Sequence, residues 1–144
     1  MNFSTIITVV QSPQEVFSRI TQDVSKWWGG ADLTGSTTQL NDEFIIHHHG
    51  AHYSKQRIVE LVLNEKIVWK VIESKLNWLQ KDQQEWTNTK MIFELTTKGD
   101  QTALHFMHEG LTPDKECYAL CHEGWNTVIK DYLFHLIKDD QSHF

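Results

Sequence analysis

The chain has 144 residues, enough for one domain, residues 1–144, with a substantial core and no need for staples. Hydrophobic residues make up 40% and six residues are Trp, which speaks against disorder and gives a heavy aromatic load. A net charge of −6 without any basic run speaks against a nucleic-acid partner, and no apolar run nears the length that membrane insertion needs.

Asn2 to Val10 is rich in β-branched residues and is predicted as the first strand. No basic stretch precedes its apolar residues, so it does not read as a signal peptide. Ser12 suits an N-cap, Pro13 the first helical position, and Glu15 completes a capping box. With Val16, Phe17 and Ile20 as its stripe, a helix is predicted from Pro13 to about Thr21. Asp23 can cap a second short helix, which Gly29-Gly30 would end.

Six strands are then predicted: Ser36–Leu40, Glu43–His49, His52–Leu63, Lys66–Leu76, Thr89–Thr97 and Gln101–His108. The breaks at Asn41-Asp42, Gly50-Ala51, Asn64-Glu65 and Gly99-Asp100 carry turn residues, so the strands form an antiparallel meander. In the last segment Thr112 is the expected N-cap and Pro113 the first helical residue. Cys117, Leu120, Cys121, Gly124, Trp125, Val128, Tyr132 and Leu136 recur at spacings of three and four, one face of a long amphipathic helix. Gly124 inside that helix means either a close backbone approach or space left for something else. The fold class is α+β: a curved antiparallel sheet of six to seven strands around a long C-terminal helix, with a cavity where the helix leaves the concavity unfilled.

The stretches "VSKWW", "NEKIVWKVIES", "EWTNTKMIFEL", "TALHFMHEGL" and the ending P-x-x-E-C-Y-x-x-C-x-x-x-W, in that order, resemble the family named for the activator of the heat-shock protein 90 ATPase, in particular its small bacterial stand-alone members. The resemblance covers nearly the whole chain and implies the helix-grip fold shared with START domains and the birch-pollen-allergen family. It implies a hydrophobic cavity for an apolar or aromatic small molecule. Some members of the wider superfamily cyclise polyketides or hydrolyse metabolites. In the eukaryotic activators a separate N-terminal domain contributes to chaperone docking, so a chaperone partner carries over poorly. Asn88 in "EWTNTK" departs from the Gly expected in relatives.

The expected cavity set is Trp28, Phe44, Ile46, Trp69, Trp86, Met91, Phe93, Phe106, His108, Cys121 and Trp125, from strand alternation and the helix stripe. The alternative to cavity lining is plain core. His108, ending the last strand, is the candidate general acid or base of an enzyme reading, but no nucleophile or second base stands at a readable spacing. Cys117 and Cys121 share a helix face; C-x3-C is not a zinc spacing, and they read as small buried thiols of a reduced, cytoplasmic protein. Glu85 reads as an exposed turn residue.

Four histidines lie within "HHHGAH". A type II′ turn at Gly50-Ala51 would pair His49 with His52 and His48 with Tyr53. His47, His49 and His52 would then share the outer face as an adventitious metal patch, and His48 would face inward with Phe44 and Ile46. That register also brings Lys55 and Arg57 inward, against the apolar character of that face. No cofactor is expected. The leading function is binding of a small apolar or aromatic molecule; the rivals are a cyclase or hydrolase using His108, and a co-chaperone-like interaction.

Overall fold

The computed structural model describes residues 1–29 and 31–140. Strand β1 (Phe3–Val9) leads into helices α1 (Pro13–Gln22) and α2 (Val24–Trp27), followed by β2 (Asp32–Gly35), β3 (Glu43–His48), β4 (His52–Val62), β5 (Lys66–Leu76), β6 (Lys90–Lys98) and β7 (Gln101–Glu109). The seven strands form one antiparallel sheet in the order β1-β7-β6-β5-β4-β3-β2. Helix α3 (Tyr118–Asn126) continues through a π-helical segment (Thr127–Leu133) into α4 (Phe134–Asp139). No helix among the described residues is long and apolar enough to cross a membrane.

The start of α1 forms as its residues dictate. The Ser12 hydroxyl accepts from Glu15 N at 3.2 Å while the Glu15 carboxylate accepts from Ser12 N at 3.4 Å. Gly30, expected to help end α2, lies outside the described residues. Three boundaries differ from expectation. The first strand of the meander is Asp32–Gly35; residues 36–42 turn back instead of extending, held by the Asp42 carboxylate accepting from Thr38 N and Gln39 N. The last helix begins at Tyr118, not at Pro113, because 112–117 closes in tight turns with Lys115 N on Thr112 O and Tyr118 N on Lys115 O. The third is the hairpin between β3 and β4. Its turn is closed by Ala51 N donating to His48 O, with His49 and Gly50 both at positive φ (51° and 68°), so the central pair is His49-Gly50, not Gly50-Ala51.

That one-residue difference inverts β4. His48 pairs with His52, His47 with Tyr53 and Ile46 with Ser54. The inward face is therefore Phe44, Ile46 and His48 on β3 with His52, Ser54, Gln56 and Ile58 on β4. Lys55 and Arg57 turn outward, where both pair with Glu43.

The core lies between the concave face and the helices. Trp27 and Trp28 from the end of α2 enter the concavity and lie nearly parallel to Trp69 of β5, at 6.0 and 6.1 Å between ring centroids. Phe44 and Phe93 meet the edge or tilted face of Trp69 at 4.9 and 4.8 Å. Such offset and edge-to-face arrangements are the favoured geometries of aromatic packing. The middle of the concavity is thus filled by rings, and the remaining space lies to one end.

Candidate functional site

That space is a pocket of about 490 Å³, within the size range of small-molecule sites. Trp28 and Gly29 border it on the α2 side. The β3–β4 hairpin supplies His48, His49, Ala51 and His52, and the loop after β5 supplies Trp78 and Trp86. The helical side is Leu120, Cys121, Gly124 and Trp125 of α3 and Thr127, Val128 and Tyr132 of the π-helical segment. Two features of that helix make room. A π turn widens the backbone, an irregularity frequent at functional sites. A Cβ added at Gly124 would meet no atom within 4 Å, so the second expectation for this glycine, space for something else, describes it.

The aromatic wall is continuous. Trp86 and Trp125 are stacked at 5.9 Å and 11°, and Trp28 meets Trp125 at 5.1 Å. His52 lies against Trp86 at 4.9 Å and Trp28 at 6.2 Å, and its Nε2 is 2.7 Å from the Ser54 hydroxyl. Burial among these rings, with smaller contributions from His48 and His47, pushes the His52 pKa down to about 4. His48 Nε2 lies 2.8 Å from Gly29 O; a carbonyl only accepts, so this nitrogen carries a proton and Nδ1 is left for another partner. Asn77 fixes the hairpin tip, donating Nδ2–H to Gly50 O at 2.7 Å and N–H to Ala51 O at 3.1 Å.

His108 is fully buried behind this wall. The Trp125 indole N–H, which can only donate, gives its hydrogen to His108 Nδ1 at 3.0 Å. Nε2 must then be the protonated nitrogen, donating to Thr89 Oγ1 at 2.8 Å, and the Thr89 hydroxyl donates to Trp86 O at 2.6 Å. The chain is complete and fixes one neutral tautomer. Burial, then the charge of His52, lowers the His108 pKa to about 3. Its imidazole joins Trp86 and Trp125 instead of reaching the pocket mouth.

Of the expected cavity residues, Trp28, Trp86, Cys121 and Trp125 line the pocket. Phe44, Ile46, Trp69, Met91, Phe93 and Phe106 do not; they are buried in the core, with Trp27 against Trp69 and Phe93, Trp28 against Trp69, and Trp125 against Phe106. The expected set omits Trp27, and it omits Trp78, Tyr132 and the hairpin histidines as pocket residues. The supposed outer patch of His47, His49 and His52 does not exist as one face. His47 points outward against Tyr53 at 5.1 Å, His49 sits in the turn and His52 points inward. No group of three or more His, Cys, Asp or Glu able to hold a metal occurs among the described residues.

Two further expectations are corrected. Cys117 and Cys121 are joined as a disulfide, their Cα atoms 5.6 Å apart, a separation that a disulfide spans. Cys117 precedes the first residue of α3, and Cys121 N donates to Cys117 O at 2.8 Å, so the first turn brings the pair together. A cytoplasmic location therefore no longer follows from reduced thiols. Glu85 is no idle turn residue: its carboxylate accepts from Glu116 N and Cys117 N, both at 3.0 Å, holding the turn that leads into α3. Glu116 reciprocates by accepting from Gln80 N and Lys81 N, so the loop bearing Trp78 and Trp86 is tied to the helix bearing Trp125.

The fold has solved relatives. The solution structure of the Aha1 dimer from Colwellia psychrerythraea matches with a TM-score of 0.78 and 19% identity over 99% of both chains. A protein from Nitrosospira multiformis matches with a TM-score of 0.73 and 13% identity over 97% of this chain and 98% of that one. CalU16 from Micromonospora echinospora matches at 0.67 and 14%, over 96% and 77%. At these identities the likeness is one of fold. No curated protein matches the sequence. The family model for Activator of Hsp90 ATPase homolog 1-like protein matches residues 11–138, nearly the whole of the helix-grip domain, and the chain belongs to that family.

Proposed function

We propose that the chain binds a small hydrophobic or aromatic molecule in the pocket between the hairpin, the loop after β5 and the C-terminal helix, and performs no chemistry of its own. The observation that carries this reading is the pocket of about 490 Å³ beside a core that is otherwise filled with rings. An opening bordered by four Trp and kept clear by Gly124 suits a flat apolar guest.

The enzyme reading has less to support it. His108 has both ring nitrogens engaged and favours its neutral form. Cys121, the one sulfur in the pocket wall, is oxidised with Cys117. A chaperone interaction would use the outer surface and leaves the pocket unexplained.

Titration with 2-naphthol, followed by Trp emission, tests the proposal. Saturable quenching at one molecule per chain is the expected result. A linear, unsaturable response across the solubility range of the probe would overturn it.

A further inference from the structure

The pocket pairs its aromatic wall with an unusual choice of polar groups. Its described lining includes His48, His49 and His52, yet no Asp, Glu, Lys or Arg, in a chain of net charge −6. The three histidines come from one hairpin and stand together at one side of the opening, with the rings of His48 and His49 4.1 Å apart. His48 uses Nε2–H on Gly29 O, so its Nδ1 can accept from a hydroxyl when neutral, or donate when protonated. The hairpin that carries these rings is fixed by Asn77, which holds both Gly50 O and Ala51 O. Placing several histidines on a braced tip beside an apolar wall is a way to meet an acidic group without a permanent buried charge.

Resting on the binding reading above, we infer that the pocket selects a flat aromatic molecule carrying one acidic group, a carboxylate or acidic phenol. Its ring would lie among Trp28, Trp86 and Trp125, and its acidic group at His48 and His49. Among the described residues, His52 on the paired strand and Tyr132 from the helix are the other titratable groups on this side, and His47, Tyr53 and Asp32, the strand partner of His47, lie on the far face. Among the described residues the wall brings no carboxylate to repel an anion; Asp32 lies on the outward side of the sheet. Binding an anion favours protonated imidazole, so affinity rises as pH falls and protons are taken up with the ligand.

The test compares 2-naphthoate with its neutral, nearly isosteric amide, naphthalene-2-carboxamide, by calorimetry on the whole chain at pH 6 and pH 8. The naphthoate should bind at least tenfold tighter than the amide at pH 6, with the preference shrinking at pH 8 and in His48→Gln/His49→Gln. Measurement in two buffers of different ionisation enthalpy should detect proton uptake with naphthoate and none with the amide, a readout that does not depend on the variant folding. If the amide binds as well as the naphthoate at pH 6, or no proton is taken up, the inference is overturned while the binding reading stands. If neither compound binds, both fall.

Discussion

Gly124 gives the sharpest handle on the pocket, because stability and binding should move in opposite directions there. It lies inside α3 at ordinary helical φ, and an added Cβ would meet nothing within 4 Å. Gly→Ala in a helix interior stabilises by about 0.5–1 kcal/mol, chiefly by restricting the unfolded chain. For a domain of this size that corresponds to a rise in Tm of about 1–4 °C. Gly124→Leu keeps most of the helical gain but sends its side chain into the space bordered by Trp86 and Trp125. We expect calorimetric melting to show Tm unchanged or raised in both variants. 2-Naphthol affinity should fall slightly in Gly124→Ala and at least tenfold in Gly124→Leu, a loss of about 1.4 kcal/mol or more. A Gly124→Leu protein that melts normally and binds 2-naphthol like the parent would refute the placement of the ligand. A large drop in Tm for Gly124→Ala would refute the claim that the position faces open space.

The buried histidines make the fold acid-sensitive. His108 and His52 have folded-state pKa values pushed down to about 3 and about 4, below the value of about 6.5 for a free side chain. Their neutral forms stabilise the fold above pH 6.5, and that stability is lost as pH falls and the unfolded chain takes up protons. From pH 7 to pH 5, His108 alone should account for a loss of about 2 kcal/mol in urea-unfolding free energy, and His108→Gln should flatten the slope; an equal slope in the variant would contradict the assignment. Trp125→Phe removes the donor to His108 Nδ1 and should cost about 1–3 kcal/mol, while Trp125→Ala should cost about 3–5 kcal/mol, both read from denaturant midpoints. Intact mass of the purified chain, with and without reductant, should differ by two hydrogens, and alkylation under non-reducing denaturing conditions should leave Cys117 and Cys121 unmodified.

The meander and the capping box at Ser12 are local patterns, legible in the order of the residues alone. The stripe of the C-terminal helix is legible in part: Cys117, Cys121, Trp125 and Leu136 are buried, whereas Leu120 is exposed. The hairpin is not. Its register turns on His49 taking a positive φ, which non-glycine residues adopt uncommonly, although His is among those enriched there. One misplaced turn residue sends His52, Ser54 and Gln56 to the wrong face; the warning is that it also turns Lys55 and Arg57 inward. The split between rings that fill and rings that line does not follow from alternation either. Phe93 and Trp69 share the inward face of the sheet with His52, yet Trp27 descends on the first two and leaves the third at the pocket. That is decided by where α2 packs, a long-range contact with no periodic signature. The hold of Glu85 on the turn before α3 likewise joins residues 31 and 32 positions apart in the chain.

The six indole N–H signals of the uniformly nitrogen-15-labelled protein can report where a ligand sits, because the pocket and the core divide the Trp residues between them. On titration with 2-naphthol, the signals of Trp28, Trp78, Trp86 and Trp125 should shift and saturate together, while those of Trp27 and Trp69 move little. Saturating shifts confined to Trp27 and Trp69, or no saturating shift at any of the six, would contradict a ligand site in this pocket.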